Sequence, residues 1–253
     1  MGEAIVKCLL TKKVAAPQDI VVSDVSSPRR EWLSKEYGVN TLADNSKAIN
    51  GAELIILAVK PQDLVQAMKE IKNLLPGQVV LSIVAGANLD SLCQNLNHTP
   101  VVRAMPNMPA QIGEGMTIWT ATAEISQRQK EMARSVLGAF GEEIYVSDEK
   151  YLDMATALSG SGPAYVFLFI EALIDAGVHI GLPRGIAQKL TIQTILGSSH
   201  AVQKTGKHPA ELRNMVTSPG GTTAEALLQL ERGGFRSLLL QAVAAAYDKA
   251  KHL

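Results

Sequence analysis

Cysteine is scarce. Cys8 and Cys93 are the only two, far apart and without metal-ligand spacing. That excludes a disulfide scaffold and points to a reducing compartment, taken here as the cytoplasm. A dominant charge sign is also missing. The 24 basic and 24 acidic side chains cancel to a formal net charge of zero. Such a chain has no field suited to nucleic acid or an anionic membrane, and the pair Arg29-Arg30 is too short to make one. No uninterrupted apolar run approaches the roughly 20 residues of a membrane span. The start lacks the charged, apolar and cleavage regions of a secretory leader. His98, His179, His200, His208 and His252 form no ligand spacing, so no metal is expected.

What is present is a chain of 253 residues, 47% hydrophobic, enough for one large or two modest cores. The first half alternates short β-rich runs with helical stretches. Residues 3–13 read as a helix with Ala4, Ile5, Cys8 and Leu9 on one face. Ile20-Val21-Val22 reads as a strand, and Ser27-Pro28 opens a helix to Tyr37 that Gly38 ends. Residues 54–59, 79–84 and 101–105 are continuous apolar runs of strand length. Pro61 opens a helix expected to end near Pro76-Gly77. Runs apolar on both faces, separated by helices, indicate a parallel sheet covered on both sides. Two further β candidates, 116–119 and 144–146, flank a helix over about 126–140.

Beyond about Lys150 the strand-like runs stop. Helices are predicted over 163–180, 183–204 and 209–215, with one or two more over 224–252 broken at Gly233-Gly234. Ala164, Val166, Phe167, Leu168, Phe169 and Ile170 come almost in succession, where a surface helix would carry one stripe. Such helices belong either to an intramolecular bundle core or, as we read them, to a dimer of interleaved helical domains. The fold expected is an α/β Rossmann-like N-terminal domain over residues 1–148, then an all-α domain over residues 149–253. The first strand and the glycine-rich turn of a dinucleotide-binding unit are largely absent from the chain, which begins directly at a helix.

Two places invite a ligand. In doubly wound sheets ligands lie across the carboxyl ends of the strands. Those ends carry Ser23-Asp24, Ala58-Val59-Lys60-Pro61, Ala85-Gly86 and Met105-Pro106-Asn107. Ser26, Ser27, Arg29 and Arg30 suit the 2′-phosphate of NADP, whereas Asp24 suits the ribose hydroxyls of NAD; we favour NADP. The second place is the bend Val216-Thr217-Ser218-Pro219-Gly220-Gly221-Thr222-Thr223. Proline and two glycines allow a tight turn. A helix expected near Ala224 would present free N–H groups to a small carboxylate. The same residues also suit an ordinary helix-breaking turn with a threonine N-cap.

Taken together, several motifs resemble pyrroline-5-carboxylate reductase across nearly the whole chain. They are Leu158-Ser159-Gly160-Ser161-Gly162-Pro163-Ala164-Tyr165, the 216–223 bend, Gly233-Gly234-Phe235-Arg236-Ser237, Ala58-Val59-Lys60-Pro61, and Arg103-Ala104-Met105-Pro106-Asn107-Met108-Pro109. The resemblance implies reduction of the cyclic imine pyrroline-5-carboxylate to L-proline with NAD(P)H, usually NADPH. It also implies a homodimer with interlocked C-terminal helices, often five dimers in a ring. By the same resemblance, Met1 matches the end of the glycine-rich turn. Asn45 and Ala58, Val59, Lys60 and Pro61 match nucleotide contacts, and Ala85 and Asn107 the nicotinamide side. Gly221, Thr222 and Thr223, with Ser218, match the seat of the substrate carboxylate. Thr223 matches the hydroxyl near the ring nitrogen, and Glu149 an acidic residue near the substrate. Met215 stands where relatives often carry a polar residue. β-Hydroxyacid dehydrogenases share the two-part layout but carry a catalytic lysine in the first long helix of the second domain. Here no lysine occurs between Gly162 and Lys189. A non-catalytic nucleotide-binding homologue is the remaining alternative, suggested by the absent first strand.

Overall fold

The computed structural model describes residues 1–251. His252 and Leu253 lie outside the described residues. The first half runs α1 (Gly2–Thr11), β1 (Val21–Ser23), α2 (Ser27–Tyr37), β2 (Asn40–Leu42), α3 (Asn45–Ala48), β3 (Leu54–Leu57) and α4 (Leu64–Glu70). It continues through β4 (Val79–Ser82), α5 (Leu89–Leu96), β5 (Val101–Met105), β6 (Gly115–Ala121), α6 (Gln127–Gly138) and β7 (Gly141–Tyr145). The apolar runs read from sequence become β3, β4 and β5, all parallel. β6 turns back antiparallel to β5 after a 3-10 segment over Met108–Ile112. α4 stops at Glu70, well before Pro76. Asn73, in the left-handed region at φ 71°, marks a chain that has already left the helix.

Strand alternation sends neighbouring residues to opposite layers. Val79 and Leu81 of β4, Val102 and Ala104 of β5 and Trp119 of β6 pack with α1 and α6. Val80 and Val101 face the other way, onto Leu64 and Met68 of α4 and Leu92 and Leu96 of α5. The strands form two sheets rather than one: β1–β2, and β3–β4–β5–β6–β7. α1 joins them. Its Ile5, Cys8 and Leu9 enter the main core, while its Val6 packs with Leu33 and Val39 beside β1 and β2.

The helical half follows: α7 (Lys150–Ala155), a π-helical turn over Thr156–Gly160, α8 (Gly162–His179), α9 (Arg184–Thr205), α10 (Pro209–Met215), α11 (Thr222–Arg232) and α12 (Phe235–Ala250). Contacts divide the chain into two compact units, Met1–Ser161 with Ala246–Leu253, and Gly162–Ala245. Within the second unit α8 and α9 approach closely. A Cβ on Gly177 would come 2.9 Å from the Ala187 Cβ. No residue of α8 is buried, and Leu168 is 67% exposed. The stretch Lys150–His179 is one helix long and apolar enough to cross a membrane by length and composition. That qualifies the expectation drawn from uninterrupted runs: Glu171 and Asp175 break the run but leave the helix strongly apolar.

The β6–β7 junction tests the packing. Gly141 has φ 144°, and a Cβ there would collide with the Gly115 carbonyl. Gly138, at the end of α6, has nothing within 4 Å of its missing Cβ. Gly141→Ala should therefore lose about 1–3 kcal/mol. Gly138→Ala should gain up to about 1 kcal/mol. Thermal melts of the two variants should move in opposite directions.

Candidate functional site

The sites expected in the first unit collect after the carboxyl ends of parallel strands. Ser23 ends β1, Asn45 follows β2, residues 58–61 follow β3, Ala85 sits in the turn after β4, and Asn107 follows β5. Gly2, the residue after Met1, is a neighbour of Ala58, because a Cβ on Gly2 would lie 3.4 Å from the Ala58 Cβ. Helix α1 thus begins against the end of β3, with its first N–H groups free of intrahelical partners. Val59 and Lys60 are exposed, and Pro61 opens one 3-10 turn. Asn45 donates its amide to Glu70 at 2.7 Å, a bond that ties α3 to α4.

The segment after β1 is internally bonded. Asp24 Oδ1 accepts the Ser26 N–H at 2.8 Å, and Arg30 Nη1 donates to the Asp24 carbonyl at 2.6 Å. Arg29 pairs with Glu3 through one terminal nitrogen and stacks 4.8 Å over Trp32. The hydrogen bond from that guanidinium holds the Glu3 carboxyl below its ordinary range, against the opposing effect of burial. Asp24 is thus turned into its own loop, while Arg29 and the exposed Ser26 and Ser27 border the strand end. The Ser23 hydroxyl is buried without a hydrogen-bond partner. An orphaned hydroxyl at a strand end, a helix start and a close Gly2–Ala58 approach are together compatible with a bound dinucleotide.

Asn107 is fixed at both ends of its amide. Its Oδ1 accepts the Met116 N–H at 2.9 Å, and its Nδ2 donates to the Ser159 carbonyl at 3.1 Å. Glu149, expected beside the substrate, is the residue before α7. Its Oε1 accepts from Arg103 Nη1 and from the Leu89 N–H, each at 2.8 Å. Arg103 Nη2 reaches Asp153 at 3.0 Å. Sequence reading passed over Asp153 and the Ser159 carbonyl. The only available signal was the i, i+4 spacing of Glu149 and Asp153, which puts two carboxylates on one face of a helix.

In the second unit the 216–223 bend is a hydrogen-bonded turn. The Gly221 N–H donates to the Ser218 carbonyl at 3.1 Å, with Pro219 next and Gly220 at φ 68°. That is the pattern of a type II β-turn, which needs glycine at its third residue. Three details differ from expectation. α11 starts at Thr222 rather than near Ala224. Its N-cap is Gly221 with no side-chain bond, so Thr223 is not an N-cap. The Gly221 N–H is already engaged, which leaves Thr222 and Thr223 as the first N–H groups open to a ligand. Gly221 contributes by size, since a Cβ would collide with Ser218 Oγ. Thr223 is half-buried; Ser218 and Thr222 are exposed.

Comparison with known proteins adds a family match on each half. Residues 149–253 match the family model described as "Pyrroline-5-carboxylate reductase dimerisation", and residues 1–86 match "NADP oxidoreductase coenzyme F420-dependent". The pyrroline-5-carboxylate reductase of Synechocystis sp. is 42% identical, covering 100% of this chain and 94% of that protein. A pyrroline-5-carboxylate reductase structure from Coxiella burnetii superposes with TM-score 0.92 at 35% identity, over 99% of this chain and 94% of that one. The Plasmodium falciparum pyrroline carboxylate reductase, solved with NADP bound, gives TM-score 0.90 at 32% identity, over 100% of this chain and 94% of that one.

The Glu3–Arg29 pair has a signed pH dependence. Its carboxyl is lowered in the folded state, so its stabilisation is present above the unfolded value and is lost as pH falls through the folded one. Glu3→Gln should melt below the parent at neutral pH, and the gap should close below about pH 4.3. A gap unchanged down to acid pH would mean that Glu3 is not held by charge.

Proposed function

This chain belongs to the pyrroline-5-carboxylate reductase family, and from that premise we propose how its residues share the work. The enzyme reduces 1-pyrroline-5-carboxylate to L-proline, the last step of proline biosynthesis, with NAD(P)H as cofactor. The observation that carries this is 42% identity along the whole chain, both halves included. A bound nicotinamide supplies the hydride.

The protein's own part is binding and orientation, because a protonated C=N is already electrophilic. The N–H groups of Thr222 and Thr223 hold the substrate carboxylate at the start of α11. The Thr223 hydroxyl accepts a hydrogen bond from the protonated ring nitrogen and fixes the face presented for reduction. Ser218 and Gly221 shape the turn beneath it, and Glu149 supports the site from its bond to Arg103. Met1, Ser23, Asn45, Ala58, Val59, Lys60 and Pro61 border the nucleotide, and Ala85 and Asn107 the nicotinamide side. Residues 1–148 form the cofactor domain and residues 149–253 the substrate-binding and dimerisation domain.

We read NADPH as the preferred reductant, because Arg29 keeps further N–H donors beside Ser26 and Ser27 and Asp24 is bonded within its loop. The working unit is a homodimer, assembled further into a decamer, in the cytoplasm. Support for the dimer is the bare α8, covered by a partner chain rather than lipid, in the half that matches a dimerisation family.

An NADPH-consumption assay with pyrroline-5-carboxylate tests the activity. Thr223→Ala should lower kcat about ten- to a hundredfold, the scale of losing one well-placed hydrogen bond to a charged group. The dimer and KM for NADPH should be retained; full kcat/KM would refute the assignment. Arg29→Ala should raise KM for NADPH roughly tenfold or more relative to NADH, since a charge-assisted hydrogen bond contributes about 1.5–3 kcal/mol. Glu3→Gln breaks the same pair but keeps the guanidinium, so its coenzyme ratio should stay that of the parent.

A further inference from the structure

We propose that Arg103 is a positioning residue for the reduction, acting through the Ser159 carbonyl on the amide of Asn107. The inference rests on the reading that Asn107 borders the nicotinamide side. Arg103 projects from β5 into the layer opposite Val102 and Ala104 and is 7% exposed. A buried guanidinium is costly unless both of its ends are paired. Here Nη1 meets Glu149 and Nη2 meets Asp153, the two carboxylates at either end of one turn. Glu149 also takes the Leu89 N–H, so the start of α5 is gathered into the same knot.

Helix α7 is therefore held to β5 by charge. It does not continue as a regular helix. Over Thr156–Gly160 it widens to a π-helical turn, closed by the Ser161 N–H on the Thr156 carbonyl at 2.8 Å. Widening redirects the carbonyls of that turn, and π-turns commonly occur at functional sites. The Ser159 carbonyl is the one that receives Asn107 Nδ2. Gly160 lies over Met105, where a Cβ would sit 3.6 Å from the methionine methyl. The segment is thus clamped to β5 twice, at Arg103 and again at Asn107 just past the strand end. If the first clamp loosens, the π-turn shifts and Asn107 loses the acceptor that orients its amide. The opposite end of the amide then keeps only the hydrogen bond from the Met116 N–H, one restraint in place of two.

The test is a double-mutant cycle in the full-length enzyme. Arg103→Met, Asp153→Asn and Asn107→Ala are made singly, and the first two are each combined with Asn107→Ala. Asp153→Asn keeps the Arg103–Glu149 pair and serves where Arg103→Met fails to fold, judged by circular dichroism and dimer elution. Asp153→Asn should lower kcat about three- to tenfold and Arg103→Met about ten- to a hundredfold, the range of a misplacement of up to about 1 Å. KM for NADPH should change less than about twofold in both. Combined with Asn107→Ala, neither should reduce kcat further, because the path is already cut. Multiplicative losses in the double variants, or parental kcat in folded Asp153→Asn and Arg103→Met, would overturn the proposal. Parental kcat in Asn107→Ala would instead remove the reading of Asn107 on which it stands.

Discussion

Alternation along β5 is the constraint on which the Rossmann-like unit depends. Its successive side chains cannot share a layer. Val102 and Ala104 fill the core under α1 and α6, Val101 fills the core under α4 and α5, and Arg103 follows Val101 into the second layer. A guanidinium in that layer demands anions. Glu149 and Asp153 supply them from the first helix after the sheet. The strand then ends at Met105, and Asn107, two residues on, donates to the π-turn that the same helix becomes. One short strand thus aligns two cores, the entry to the helical half and a polar group at the edge where ligands bind in doubly wound sheets.

The helical half obeys a different constraint. Its helices cannot hide their apolar surface within one chain. Phe169 does find Phe235, with ring centroids 6.1 Å apart, yet α8 keeps no buried residue. Burial of apolar surface is the main favourable term in folding, so such helices are completed by association. The family match over residues 149–253 names dimerisation as the role of this half.

Much of the fold was legible because particular patterns have one physical solution. The runs at 54–59, 79–84 and 101–105 were too short for helices and too apolar for surface strands. They became β3, β4 and β5. Pro28 and Gly38 bracketed α2, and Gly38 takes the left-handed cap at φ 68°. β2 was not legible. Asn40-Thr41-Leu42 carries little β signal and exists because β1 lies beside it. α5 had a signal that went unread: Asn88 caps it, and Leu92 and Leu96 share its buried face. The π-turn had none, since no local preference distinguishes it from the helix on either side.

Residue types and spacing alone determined the two-part architecture, the parallel strands, the glycine-dependent bend and the family. Each of these is local or periodic, and a chain displays such features before it folds. Only the tertiary structure decided how polar groups were spent. It gave the Gly221 N–H to Ser218, Arg29 to Glu3, and Glu149 to Arg103 and Leu89. Hydrogen-bond partners are set by which atoms meet across 26 to 60 residues of chain in the longest of these pairs, and no local pattern records that meeting.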